Sequence, residues 1–549
     1  PKVAKSYRDY RNYKQDFVQM LDEVYKKSQS IMYIGDKENS NTDSALVSTK
    51  RSLIFNQLNK ELYKKFFLTT EELQACRDGY IYIHDMSARR DTMNCCLFDV
   101  QSVLQGGFEM GNLWYNEPKT LDVAFDVIGD IVLSAASQQY GGFTVPSADL
   151  ILEPYAEKSY KYYIEKYKNI GLDEEKSKEI AIQDIQRDFE QGFQGWEYKF
   201  NSVSSSRGDY PFITVTIGTG TGRFAKMASK TMLEVRKNGQ GKKGHKKPVL
   251  FPKVVFLYDE KLHGEGGPLE DVFEAGIDCS SKTMYPDWLS LSGEGYIASM
   301  YKKYGKIVSP MGCRAFLSPW YEKGGMKPAD ENDVPVFVGR FNIGVVSLHL
   351  PMILAKAQQE NKPFFDVLDY YLNLIRQLHL RTYDYLGEMR ASTNPLAYCE
   401  GGFYGGHLGI HDKIKPILKT ATASFGITAL NELQQLYNKR SLVEDGEFAI
   451  RTLEHINEKV NQFKAEDGKL YAIYGTPAES LCGLQVTQFR KKYGVIENVS
   501  DREYVSNSFH CHVTEDITPI QKQDLEKRFW ELSNGGKIQY VKYPIDYNT

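Results

Sequence analysis

Two uninterrupted runs of β-branched and aromatic residues constrain the fold of this chain more than any other feature. Residues 211–217 read "PFITVTI" and residues 254–258 read "VVFLY", without alternation of apolar and charged positions. Such runs are typical of strands buried on both faces, and sheets buried on both faces are mostly parallel and covered by helices. The two runs therefore predict a parallel sheet inside an α/β protein.

Helical patterns separate the predicted strands along most of the chain. "TLDVAFDVIGDIVLSAASQQ" places Leu121, Phe125, Ile128, Val132 and Ala135 on one helical face. Helices are also predicted from Leu53 to Phe66, over 153–200 with a break near Gly171, and over 363–389 and 445–464. Strands are predicted at "GYIYIHD", at "KLYAIYGT", and on both sides of the turn in "VPVFVGRFNIGVVSLHLP". This alternation predicts an α/β architecture with a mostly parallel sheet or barrel.

Composition narrows the classes of partner. The 549 residues include 68 basic and 71 acidic side chains, for a net charge of -3, which does not favour nucleic-acid binding. Neither a membrane-spanning apolar run nor the apolar core of a signal peptide is present, so we expect a cytoplasmic protein that does not enter membranes. The basic segment 236–248 is interpreted as a solvated loop, with phosphate contact as the alternative.

The cysteines point to free thiols and not to a disulfide or zinc framework. Eight cysteines in 549 residues are too few for a disulfide scaffold, and no C-x-x-C pair occurs. "HCH" at 510–512 would place its cysteine opposite its histidines in a strand, so no metal site is predicted there. "GTGTG" at 218–222 lacks the Lys and Ser/Thr of a P-loop and is interpreted as a turn.

Three segments carry candidate reactive side chains, each with a plainer alternative. Cys313 in "SPMGCRAFLSPW" is most simply a buried packing residue. In "MNCCLFDV", Cys95 and Cys96 would project to opposite faces of a strand, so only one enters a given cavity. Glu479 in "YGTPAESLC" follows a predicted strand, where a carboxylate caps a helix or, alternatively, transfers a proton.

Taken together, the motifs of this chain resemble those of one enzyme family. "MNCCLFD", "MYPDW", "SPMGCRAFLSPW", "GRFNIGVVSLHLP", "YGTPAESLC" and "SNSFHCHVTEDITP" occur in the order and rough spacing of the class III anaerobic ribonucleoside-triphosphate reductases. The resemblance extends from about residue 38 to about residue 544, nearly the whole chain. These enzymes are oxygen-sensitive and belong to the glycyl-radical enzymes.

The resemblance implies a fold and a domain organisation. The fold is a ten-stranded α/β barrel of two antiparallel five-stranded halves, crossed by a central finger loop near 309–320. Residues 1–35 form a short helical arm without the ATP-binding cone of many relatives, and 36–549 form the catalytic barrel. The chain ends at "YPIDYNT", so the C-terminal zinc and glycyl-radical domain is expected to be absent from it.

The resemblance also implies roles for single residues. Cys313 matches the finger-loop cysteine that becomes a thiyl radical, and Cys95 matches the second active-site cysteine. Asn342 falls at an active-site asparagine, next to Phe341, which replaces a second asparagine common in relatives. The remaining implied residues are Glu479 as a catalytic carboxylate, His84, Ser309 and Met311 as substrate-binding residues, and Lys119 as an effector-binding residue.

Partners follow from the same resemblance. They are a ribonucleoside triphosphate substrate, formate as reductant, dNTP or ATP effectors, and a second copy of the chain in a homodimer. The radical glycine lies outside this chain and is generated by an S-adenosylmethionine [4Fe-4S] activase, with zinc only in the missing domain. Two alternatives stay open: a glycyl-radical enzyme of the pyruvate formate-lyase type, and a non-catalytic nucleotide-binding paralogue.

Overall fold

The structure is a computed structural model that describes residues 18–22, 24–28, 46–202, 208–312, 314–476 and 479–541. Cys313 and the side chain of Glu479 lie outside this part of the chain. The backbone is helical at 18–22 and 24–28, within the predicted N-terminal arm. No helix in the described ranges is long and apolar enough to cross a membrane.

The first sheet is parallel and contains both apolar runs. The strands of the chain are β1 (Ile81–Ile83), β2 (Cys96–Leu97), β3 (Phe108–Met110), β4 (Leu113–Tyr115), β5 (Phe143–Val145), β6 (Ile213–Ile217), β7 (Lys253–Tyr258), β8 (Asp287–Ser290), β9 (Asn342–His349), β10 (Thr422–Thr428) and β11 (Leu470–Gly475). Five of them form a parallel sheet in the order β2-β5-β6-β7-β8, and every residue of β6 is buried. The predicted parallel sheet is confirmed.

The second sheet has the order β1-β9-β10-β11, with β1 antiparallel to the three parallel strands. The two sheets meet where the Asn342 N–H donates to the Cys95 carbonyl at 2.8 Å and the Leu97 N–H donates to the Arg340 carbonyl at 2.9 Å. This junction is antiparallel, so the two parallel layers run in opposite directions, as expected.

The two sheets have five and four strands, so the expected ten-strand count is not reproduced in the described residues. A further segment lies beside β11, where the Gly475 N–H donates to the Gly536 carbonyl at 2.8 Å and the Gly535 N–H donates to the Ile473 carbonyl at 2.6 Å. This segment occupies the outer position of the four-stranded sheet without forming a regular strand.

Helices cover both sheets. They are α1 (Val47–Phe66), α2 (Thr70–Asp78), α3 (Val100–Leu104), α4 (Leu121–Ala136), α5 (Ala148–Asn169), α6 (Glu174–Phe200), α7 (Arg223–Asn238), α8 (Glu260–His263), α9 (Glu270–Lys282), α10 (Tyr296–Tyr304), α11 (Leu350–Glu360), α12 (Phe364–Gly387), α13 (Pro395–Tyr398), α14 (Leu430–Asn438), α15 (Glu447–Asp467), α16 (Glu479–Tyr493) and α17 (Pro519–Glu526). The predicted face of α4 is buried, and α5 ends just before Gly171, whose φ of 95° suits the break between the two long helices. These helix predictions are confirmed.

One predicted strand is wrong, and one predicted turn is confirmed. The first predicted strand of "VPVFVGRFNIGVVSLHLP" is wrong, because 334–338 is not a regular strand: Pro335 lacks an N–H, and the Val336 N–H donates to the Trp320 carbonyl at 2.8 Å. "GTGTG" is a turn, as predicted. The N–H groups of Gly218 and Gly220 donate to the buried Asp149 carboxylate at 3.1 and 3.0 Å. These two N–H groups therefore bind a side chain of the protein itself and are not directed at a bound phosphate.

Candidate active site

The predicted finger loop runs between the two sheets. On one side, Thr144 of β5 and Thr214 of β6 hydrogen-bond its backbone at Gly312, at 3.0 and 2.6 Å. On the other side, the Ser318 hydroxyl donates to the Tyr471 carbonyl at the start of β11, at 2.8 Å. The loop therefore crosses from one half of the fold to the other, which is the arrangement expected for 309–320.

A tight hairpin forms the tip of this loop. The Met311 N–H donates to the Ala315 carbonyl at 2.8 Å and the Ala315 N–H to the Met311 carbonyl at 3.4 Å, on either side of position 313. Gly312 takes the left-handed φ of 63° that a glycine adopts without strain. Ser309 and Met311 are both buried, and Met311 packs in an apolar cluster with Leu97, Phe316 and Val345. The described residues that lead into the tip are thus shielded from solvent.

Cys95 lies against this hairpin. The Gly142 N–H donates to its Sγ at 3.1 Å, and a β-carbon added to Gly312 would lie 3.8 Å from the same sulfur. A β-carbon added to Gly142 would overlap the Cα of Gly312. Glycine at both positions therefore allows the finger loop to approach Cys95 closely.

Cys96 faces the other way, as predicted for adjacent residues of a strand. Its side chain is fully buried, and its Sγ donates to the Gln139 side-chain oxygen at 3.2 Å. Burial raises the pKa of the Cys96 thiol, and the neighbouring Cys95 adds to the effect. Cys95 is only partly buried, so the pair divides into one thiol beside the loop and one packing residue.

Asn342 is adjacent to Cys95 through the backbone, and its side chain is held inside the barrel. Its Nδ2 donates to Ser424 Oγ at 2.7 Å, and its Oδ1 accepts from the Gly344 N–H at 2.6 Å. Phe341 points outward and stacks on Phe403 with the ring centroids 4.5 Å apart. The replacement of an asparagine by Phe341 therefore changes the outer packing and not the lining of the site.

His84 is linked to the segment that precedes Glu479. Its Nε2 shares a 2.8 Å hydrogen bond with Ser347 Oγ, which in turn lies 2.8 Å from Thr476 Oγ1. Burial, together with the positive charge of Arg89, lowers the pKa of His84 to about 3, so its ring is neutral at physiological pH. Helix α16 begins at Glu479, as the sequence predicts for a carboxylate at a helix start.

The other predicted residues lie elsewhere. Lys119 is exposed just before α4 and is not brought to the finger loop, in keeping with its prediction for a separate effector site. In "HCH", His510 Nδ1 pairs with the buried Glu526 carboxylate at 2.9 Å. Within the described residues, no group of three or more His, Cys, Asp or Glu side chains is arranged to hold a metal ion.

Sequence reasoning misses the residues that support the site. Thr144, Thr214, Ser347 and Gly142 each contact a predicted site segment, yet each lies in an ordinary strand pattern or turn. The available signal is a polar hydroxyl within an otherwise apolar strand, as at Thr214 in "PFITVTI". Such a hydroxyl needs a hydrogen-bond partner when it is buried.

Comparisons with known proteins agree with this geometry. The family model described as "Anaerobic ribonucleoside-triphosphate reductase" matches residues 38–549. The anaerobic ribonucleoside-triphosphate reductase of Haemophilus influenzae is 31% identical over 100% of this chain and 76% of its own length. That of Enterobacteria phage T4 is 31% identical over 92% of this chain and 81% of its own.

Solved structures share the fold. The anaerobic ribonucleotide reductase from Thermotoga maritima, in complex with dATP and CTP, has a TM-score of 0.63 at 15% identity, covering 96% of this chain and 85% of its own. Hydroxyproline dehydratase from Clostridioides difficile has a TM-score of 0.53 at 11% identity, covering 93% of this chain and 77% of its own. The family match, the relatives that align over nearly the whole of this chain, and the shared fold support the oxidoreductase activity of an anaerobic ribonucleoside-triphosphate reductase. The chain belongs to the anaerobic ribonucleoside-triphosphate reductase family.

Proposed function

We propose that this chain reduces ribonucleoside triphosphates to 2′-deoxyribonucleoside triphosphates by thiyl-radical chemistry, with formate as the reductant. The observation that carries the proposal is the contact between the finger-loop tip and Cys95. Gly142 packs on Gly312 and donates its N–H to Cys95 Sγ at 3.1 Å, so the loop bearing Cys313 meets the second cysteine only in the fold.

Cys313 is assigned the abstraction of the ribose 3′-hydrogen, because S–H and activated C–H bonds have similar strengths. A glycyl radical, formed by a radical S-adenosylmethionine activase, supplies the oxidised state of this thiol. The buried finger loop suits that role, since a radical needs a cavity that excludes water.

Cys95, on the other side of the ribose, is assigned the hydrogen donation to C2′ after the 2′-hydroxyl leaves as water. Formate is oxidised to CO2, so that formate and one proton convert the ribonucleotide into the deoxyribonucleotide, CO2 and water. Asn342 is assigned the orientation of the ribose or formate, with the Nδ2 hydrogen that Ser424 does not use.

Glu479 is assigned the proton transfer to the leaving 2′-hydroxyl. Its backbone position at the start of α16, three residues after the Thr476 that His84 reaches through Ser347, supports this role. Ser309 and Met311 are assigned contacts to the substrate from the base of the finger-loop hairpin.

Regulation and assembly complete the proposal. A dNTP or ATP effector is assigned to a site near Lys119 and α4, and a homodimer to the full protein. The Thermotoga maritima reductase has been solved with dATP bound in the specificity site, which supports a separate effector site in this chain.

The test is anaerobic CTP or ATP reduction by the full-length protein after treatment with its activase, with formate as the electron donor. We expect Cys313→Ala and Cys95→Ala to abolish turnover, while Cys96→Ser, which keeps a donor to Gln139, retains it. Retained turnover in Cys313→Ala would overturn the thiyl assignment. Nucleotide binding without reduction in the activated wild type would instead support the non-catalytic alternative.

A further inference from the structure

From the backbone contacts of the finger loop, we infer that Thr144 and Thr214 are positioning residues: they hold the loop backbone at Gly312, directly before the proposed thiyl residue Cys313. The inference rests on the proposed function, because it concerns the loop that carries the proposed thiyl radical. Thr144 and Thr214 are register partners on the neighbouring parallel strands β5 and β6, so their side chains lie next to each other. Both are fully buried.

Two threonine hydroxyls hydrogen-bond one backbone group in each of three consecutive peptide units of the loop. Thr144 Oγ1 donates to the Pro310 carbonyl at 3.1 Å and accepts from the Gly312 N–H at 3.0 Å. Thr214 Oγ1 donates to the Gly312 carbonyl at 2.6 Å. The peptide groups on both sides of Gly312, which directly precedes Cys313, are therefore bound to the sheet by these two side chains.

A steric limit complements these hydrogen bonds. Gly142 and Gly312 are in backbone contact, so the loop cannot move closer to β5. The hydroxyls prevent it from moving away. Downstream of the tip, the loop is held by the Phe316 N–H, which donates to the Gly535 carbonyl at 2.9 Å, and by Ser318. Among the described contacts with the sheet, those of the threonine pair hold the segment that leads into Cys313.

The main chemical consequence concerns hydrogen abstraction. Hydrogen transfer from C3′ to sulfur requires the two atoms within contact distance, and a displacement of about 1 Å costs roughly a hundredfold in rate. Loss of one hydroxyl is therefore expected to slow the abstraction step far more than it weakens nucleotide binding, to which this loop contributes the contacts proposed for Ser309 and Met311.

The experiment compares Thr144→Val and Thr214→Val with Thr216→Val in the full-length, activated protein. Thr216 is a matched control, since it is equally buried in the same strand but accepts from the Ser147 N–H at 2.7 Å. Turnover with CTP and with 3′-deuterated CTP gives kcat, KM and the primary isotope effect. We expect the two test variants to lose roughly ten- to a hundredfold in kcat, with a much smaller change in KM, and to show a larger isotope effect.

Serine at either position keeps the hydroxyl and is expected to restore a wild-type isotope effect. A variant that merely folds less well has fewer active molecules, so its kcat falls while its isotope effect stays the same. That result, or equal behaviour of all three valine variants, would overturn the inference. If a valine variant does not fold, Thr144→Ala or Thr214→Ala replaces it, and the same increase in the isotope effect is expected.

Failure of the proposed function is separable from failure of this inference. Absence of CTP reduction in the wild type, or turnover that survives Cys313→Ala, refutes the proposed function. Wild-type turnover that depends on Cys313, together with unchanged isotope effects in the valine and alanine variants, refutes only the positioning role.

Discussion

The Oγ atom of Ser347 lies 2.8 Å from Nε2 of His84, across the antiparallel pair of strands β1 and β9. The same hydroxyl lies 2.8 Å from Thr476 Oγ1, so one serine connects both ends of a short chain of hydrogen bonds. A β-carbon on Gly426 would overlap both hydroxyls, so the strand between them must carry glycine.

Ser347→Ala is expected to lower both stability and turnover. It leaves the partly buried His84 ring and the buried Thr476 hydroxyl without this partner, which costs about 1–3 kcal/mol in the free energy of unfolding. Denaturant unfolding measures that loss, and anaerobic CTP reduction measures the effect on turnover. Ser229→Ala is the control, because it removes an equally buried hydroxyl that donates to Asp149 at 3.2 Å. Equal turnover per folded molecule in both variants would contradict a role for Ser347 in the site.

Gly142→Ala is expected to impair the reaction more than the fold. The new methyl group would overlap Gly312, and since the obstacle is backbone, the loop must shift. Overpacking of this kind costs about 1–3 kcal/mol. Gly195→Ala is the control on α6, where added carbon meets nothing within 4 Å and alanine is expected to stabilise the helix by about 0.5–1 kcal/mol. Full turnover in Gly142→Ala would show that the loop contact is not needed.

The two adjacent thiols are expected to differ in reactivity. Cys96 is fully buried and burial raises its pKa, whereas Cys95 is partly exposed. Brief alkylation of the native protein with iodoacetamide is expected to modify Cys95 and spare Cys96 until the protein is unfolded. Fragment-ion mass spectrometry of the peptide distinguishes the two positions. Faster modification of Cys96 would mean that its side chain, and not that of Cys95, is the accessible one.

Stability is expected to fall with acidification below about pH 6.5. Burial lowers the pKa of His349 and of His379 to about 3, although each shares a hydrogen bond with a backbone carbonyl. In the unfolded chain each histidine takes up a proton near pH 6.5, whereas in the folded chain it does so only near pH 3. The stabilisation from each neutral histidine is therefore complete above pH 6.5 and declines as the pH falls from 6.5 to 3. The slope is about 1.4 kcal/mol per pH unit for each fully buried histidine.

Unfolding free energies measured from pH 7 to pH 4 test this expectation. His349→Gln and His379→Gln are each expected to flatten the curve, whereas His245→Gln, in the exposed basic loop, serves as the comparison. A variant curve parallel to that of the wild type would show that the buried histidine does not resist protonation.

Local patterns in the sequence are sufficient to predict most elements of the fold. Burial can be predicted directly from the apolar runs of β6 and β7 and from the apolar face of α4. This is possible because strand and helix periodicities are properties of residues close together in the sequence. The segment 334–338 is mispredicted because its partner is the finger loop near Trp320, outside the window of a local pattern. Tertiary pairing overrides local β-propensity there.

The site is predictable only in part. Family motifs identify Cys95 and Asn342, and the structure brings them together through the Asn342 N–H and the Cys95 carbonyl, 2.8 Å apart. Thr144 and Thr214 escape prediction, because a threonine in a buried strand has no local sign of what its hydroxyl binds. Their partner, Gly312, becomes a neighbour only when the finger loop crosses between the sheets.

The junction of the two sheets gives Cys95 a mechanical property as well as a chemical one. Its carbonyl accepts from Asn342 of one half at 2.8 Å, and its sulfur accepts from Gly142 of the other half at 3.1 Å. A single residue is thus bound to both halves of the barrel, with no intervening chain to absorb strain. Any displacement of one sheet against the other acts directly on this residue, so the packing of the two sheets and the position of the Cys95 thiol are coupled.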